Sequence, residues 1–105
     1  DYEDQIREAA KQAMGSAEPL ETPVVACIYI TVPIPASYSK KRSAACLSGS
    51  ERPCKKPDID NILKAYLDSM NGIVYKDDTQ VISLHATKVY GTVGLVEVMV
   101  QEHLL

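Results

Sequence analysis

The chain has 105 residues, 46% of them hydrophobic, and a formal net charge of −3. That length supports one core and excludes a second domain, and the absence of Trp and Phe leaves six tyrosines as the aromatics, which argues against a module that grips single strands by base stacking. Three cysteines without Cys-x-x-Cys spacing exclude a disulfide framework or a zinc ribbon, and no signal peptide or membrane-length apolar run is seen, so a reducing cytoplasmic setting is expected.

In chain order, Asp1–Met14 sets Ile6, Ala9, Ala10 and Ala13, with Tyr2, against Glu3, Arg7, Glu8, Lys11 and Gln12 at helical spacing, which predicts an amphipathic helix stopped by Gly15. Val24–Val32, a run rich in β-branched residues between Pro23 and Pro33, predicts a buried strand with Cys27 as a small core residue. Ser39–Leu47 predicts a short basic helix capped by Ser39 and ended at Ser48-Gly49, followed by a polar, mobile link to Pro57. Asn61–Met70 predicts a helix burying Ile62, Leu63, Tyr66, Leu67 and Met70, with Asn71-Gly72 as its stop. Ile73–Tyr75 is expected as a short strand and Asp77-Asp78 as a turn. Val81–Tyr90 and Leu95–Glu102 are expected as strands joined by a hairpin turn at Gly91-Thr92-Val93-Gly94. The sum is an α+β fold, a small mixed sheet with helices packed on it, in a single domain over residues 1–105.

The charge is unevenly spread. Between Ser39 and Pro57, Lys40, Lys41, Arg42, Arg52, Lys55 and Lys56 face the single Glu51, a local balance of +5 that leaves −8 for the rest. This basic stretch runs directly into Pro57-Asp58-Ile59-Asp60-Asn61. In an extended segment, side chains at i and i+2 share a face, so Asp58 and Asp60 converge as two hard oxygen ligands. Asp77-Asp78 offers a third carboxylate, and Lys64, one helical turn after Asp60, offers a cation beside them. Carboxylates of this kind suit Mg2+, and a neighbouring lysine can neutralise charge developing on a phosphate. The same residues also admit a structural reading. Asp58 or Asp60 can cap the helix, Asp77-Asp78 can serve the turn, and the lysines can be a solvated face.

Three ordered motifs, Pro57-Asp58-Ile59-Asp60-Asn61-Ile62-Leu63-Lys64, Asp68-Ser69-Met70-Asn71-Gly72 and Val74-Tyr75-Lys76-Asp77-Asp78-Thr79-Gln80-Val81, resemble the signature of RusA-type Holliday junction resolvases. The likeness runs without a gap from Lys55 to Lys88. Pro33-Ile34-Pro35 and Ser37-Tyr38-Ser39-Lys40-Lys41-Arg42 resemble the basic insertion of phage-borne members. The resemblance implies that Asp58, Asp60 and Asp78 bind metal, that Lys64 is needed for cleavage, and that the protein is a homodimer with two equivalent sites. RusA-like proteins usually carry a strand and a Lys/Arg-rich loop before the first helix seen here, so the chain is expected to be shortened at its start.

The leading expectation is therefore a Mg2+-dependent endonuclease acting on branched DNA, with Lys40, Lys41, Arg42, Lys55 and Lys56 as DNA contacts. A less selective branched-DNA nuclease, a DNA-binding module without turnover and a plain interaction domain are the alternatives. Asp68 is expected to face solvent, His85 and His103 to be structural or surface residues, and Lys76 and Asp77 to shape the local field. Tyr38 has equal claims to base stacking and to packing.

Overall fold

Asp1 begins the first helix by a reciprocal cap: its side chain accepts from the Asp4 N–H, while the Asp4 carboxylate answers the residue-1 amine. In the structure, a computed structural model that describes residues 1–104, this helix (α1) spans Tyr2–Met14 and ends at Gly15, with φ 56°. Ile6 and Ala10 are buried. Ala9 and Ala13, expected on the same face, are exposed, on the wall of an apolar groove between this helix and the last strand.

The strand β1 (Val24–Pro33) is the middle of a three-stranded mixed sheet, parallel to β2 (Val81–Gly91) on one side and antiparallel to β3 (Leu95–Glu102) on the other. Its even positions Val24, Ala26, Ile28 and Ile30 are buried under helices, whereas Tyr29 is exposed and Cys27 half-buried. The expected buried strand is thus buried on one face only, and Cys27 lies on the open face. A β-branched run alone cannot distinguish one covered face from two.

The expected hairpin is corrected by this topology. β2 and β3 do not pair; β1 lies between them, and Thr92–Gly94 arches over its end. Glycine permits the crossing sterically: a Cβ on Gly91 would lie 2.4 Å from Thr31 Cγ2, and one on Gly94 would lie 3.4 Å from Pro33 Cδ.

Two further helices flank the sheet. α2 (Lys40–Ser48) is capped by Ser39, whose side chain accepts from the Arg42 N–H, and ends at Gly49 in the left-handed conformation. α3 (Ile59–Ser69) packs with α1 over β1 and supplies Ile62 to a cluster with Ile28 and Ile30. Met70, Val74 and Tyr75 close a second cluster with Ala10 and Val24. Ile73–Tyr75 is a turn rather than the expected strand: Tyr75 makes only isolated bridges to Leu20 and Asn71 and is wholly buried, its Oη donating to Leu67 O at 2.6 Å. Among the described residues, no helix is long and apolar enough to cross a membrane.

Candidate active site

The Lys55–Lys64 segment places the first two predicted ligands at the start of α3. Asp58 occupies the N-cap position in extended conformation, φ −72° and ψ 134°, yet its side chain makes no capping bond. Its Oδ2 instead receives Asn61 Nδ2 at 3.5 Å, and Asp60 Oδ1 receives the Asn61 N–H at 3.0 Å. Both carboxylates are largely open to solvent. The capping explanation for Asp58 therefore fails geometrically, and its oxygens keep lone pairs free for a cation. Lys64 is exposed one turn further on; the side-chain ion pairs among the described residues join other partners, including Arg7–Glu3, Arg42–Glu51 and Lys76–Glu21.

Asp78 lies elsewhere. It opens a 3-10 turn, Asp78–Gln80, that is capped by Asp77 and anchored by Gln80, whose Nε2 donates to Leu20 O and Thr22 O, both at 2.9 Å. Asn71 Nδ2 donates to Asp78 Oδ2 at 3.4 Å, so Asp78 sits by the C-terminal end of α3. Burial raises the Asp78 carboxyl above its ordinary value, Asn71 opposes this, and Asp68 and Asp77 add to it. Eleven helical residues at ~1.5 Å each put about 16 Å between the two ends of α3, and among the described residues no three His, Cys, Asp or Glu side chains gather closely enough to hold a metal. Asp60 already lies inside α3, so the extended i, i+2 alignment expected of Asp58 and Asp60 is not kept; the two carboxylates share Asn61 as a neighbour, and Asp78 lies by the other end of the helix.

Asp68 faces solvent as expected and also borders Asp78. Although exposed, its carboxylate bears on both Asp78 and the buried Tyr75 hydroxyl, which burial and three carboxylates push up. The available signal was its spacing of three from Asn71, which puts both on one end of the helix. Asp77 and Lys76 take structural work: Asp77 caps the 3-10 turn and Lys76 pairs with Glu21 at 3.1 Å.

The basic segment divides. Lys40 and Lys41 are exposed in the first turn of α2, with no acidic residue there to complement the helix dipole, and Lys55 and Lys56 are exposed before Asp58. Arg42 is already engaged, donating from Nε and Nη2 to both Glu51 oxygens at 2.9–3.1 Å while its guanidinium lies 3.7 Å from the Tyr38 ring centroid. The pairing lowers the Glu51 carboxyl and raises the arginine. Tyr38 also meets Tyr90 edge-on, so the structure assigns it to packing. The expected mobile link is likewise tied at its start, where Arg42 holds Glu51, the Glu51 N–H donates to Ala45 O and Pro53 is buried. His85 stacks edge-on with Tyr29 on the open sheet face, away from any carboxylate cluster.

Comparison with known proteins agrees with the resemblance carried by the motifs. The uncharacterized protein YqaN of Bacillus subtilis (strain 168) is 41% identical over 75 residues, which cover 71% of this chain and 53% of that protein. The chain thus spans about half the length of the curated relative it matches. The family described as Endodeoxyribonuclease RusA matches residues 1–101, and the chain belongs to that family.

Proposed function

We propose that the protein is a Mg2+-dependent endonuclease that resolves four-way (Holliday) junctions in recombination and repair, working as a homodimer. The observation that carries this reading is the uncapped carboxylate of Asp58, open to solvent at the start of α3, with Asp60, Lys55, Lys56 and Lys64 exposed in the same segment. Mg2+ is commonly held by one or two carboxylates and completes its shell with water and phosphate oxygens, so Asp58 and Asp60 fit it. The bound ion would supply a more acidic water and a polarised phosphate.

The remaining tasks belong to the chain. Lys55 and Lys56 attract the backbone next to the carboxylates, and Lys64 compensates charge on the phosphate being cleaved. Lys40 and Lys41 stand at a helix N-terminus, where their charge opposes the dipole but where a phosphate is welcomed by both. Asp78 is held at the other end of α3; the resemblance assigns it to the metal site with Asp58 and Asp60, and a two-fold dimer carries two equivalent cutting centres.

The test is cleavage of a labelled synthetic four-way junction, with and without Mg2+ and with linear duplex as control. Asp58→Asn, Asp60→Asn and Asp78→Asn should each abolish cutting while preserving fold and junction binding. Wild-type rates in all three single variants would refute the metal assignment.

A further inference from the structure

The stretch that delivers Asp58 has little of its own to hold it. Lys55, Lys56 and Pro57 are irregular and exposed, and no backbone–backbone hydrogen bond among the described residues involves them. Their carbonyls are instead gathered by one side chain. Lys88 Nζ donates to Lys55 O at 2.8 Å and to Pro57 O at 2.9 Å. Lys88 belongs to β2, where it pairs in register with the buried Ile30 of β1, so its half-buried side chain rises from the helix-covered face of the sheet. An apolar side chain would pack there without losing hydration. A lysine keeps its place there with two of its three donors received by carbonyls.

We infer that Lys88 is a positioning residue for the cutting site. It clamps the two carbonyls that bracket Lys56 and so fixes the direction in which the chain enters α3, and with it the aim of the Asp58 carboxylate and of the Lys55 and Lys56 side chains. Lys88 touches neither carboxylate nor phosphate in this role; it acts through the backbone. Reacting groups tolerate little misplacement, and an error of about 1 Å can cost on the order of a hundredfold in rate. The inference rests on the nuclease reading above for its catalytic half only.

Two variants test it. Lys88→Met keeps length and packing and removes all donors; Lys88→Arg keeps charge and donors. Backbone amide exchange of the DNA-free protein should speed up in Lys88→Met at Asn61 and Ile62, the first bonded amides of α3, and stay unchanged in α1. Its single-turnover cleavage should fall at least roughly tenfold, with a higher half-saturating Mg2+ concentration and junction affinity within about threefold of wild type. Lys88→Arg should restore part of both readouts. Unchanged exchange at Asn61 and Ile62, or faster exchange throughout the molecule, would overturn the inference, the second by showing a general packing role. If the wild-type protein cuts no junction, the nuclease reading falls and the exchange measurement decides the clamp alone.

Discussion

Single side chains separate structure from chemistry most sharply at Lys64. It is exposed and makes no pair with Asp60, so its loss should leave the fold intact: Lys64→Ala should cost at most ~0.5 kcal/mol of stability. If its ammonium offsets charge on the reacting phosphate, single-turnover cleavage should fall by roughly a hundredfold or more with little change in junction affinity. Melting temperature and rate measured on one preparation check both halves. Asp58 shows what the sequence conceals at this scale. An Asp before a helix has the same letters whether it caps or stays free, and only the absent capping bond tells them apart. Lys88 is equally hidden, because a lysine in an alternating strand gives no hint that its partners are carbonyls far upstream in the chain.

Elements are legible where caps and periodicity agree. Asp1 and Gly15 bound α1, Ser39 and Gly49 bound α2, and the apolar face of α3 is visible from Ile62 to Met70. Ile73–Tyr75 misleads because its apolar letters serve a turn whose last side chain plugs the core. The α2 helix carries the clearest test at this scale. Lys40→Glu with Lys41→Glu should weaken DNA binding and flatten its salt dependence, by about one unit of slope for each phosphate no longer neutralised. Arg42→Ala should behave differently, because its guanidinium holds Glu51 and covers Tyr38: thermal stability should drop before binding does. A salt titration beside a melting curve distinguishes them, and unchanged binding in the double lysine variant would leave α2 a solvated face.

At the level of the whole molecule, the mixed α+β class is legible in the residue pattern but the order of strands is not. Two alternating runs joined by a short Gly-containing loop look like a hairpin, and what overrides that pattern is the more apolar β1, which gains a neighbour on both sides by taking the centre. The arch over its end should be sensitive to one methyl group. Gly91→Ala brings a Cβ within 2.4 Å of Thr31 Cγ2 and should cost about 1–3 kcal/mol. Adding Thr31→Ser removes that methyl and should return most of the loss in denaturant unfolding. The candidate site follows the same lesson, since adjacent motifs in the sequence come to lie at opposite ends of α3.

The central place of β1 also shapes how the protein is made. Both of its partners are encoded downstream, beginning at Val81 and ending at Glu102. At roughly 5–20 residues per second, the ribosome completes the second neighbour about 3–15 s after β1 is finished. Until β2 is made Val24–Val32 is an apolar strand with two unsatisfied edges, and one stays open until β3 follows, the kind of segment that recruits other chains. Yield in a cell should therefore depend on chaperone capacity and on translation speed across residues 34–102, even where the finished protein is stable.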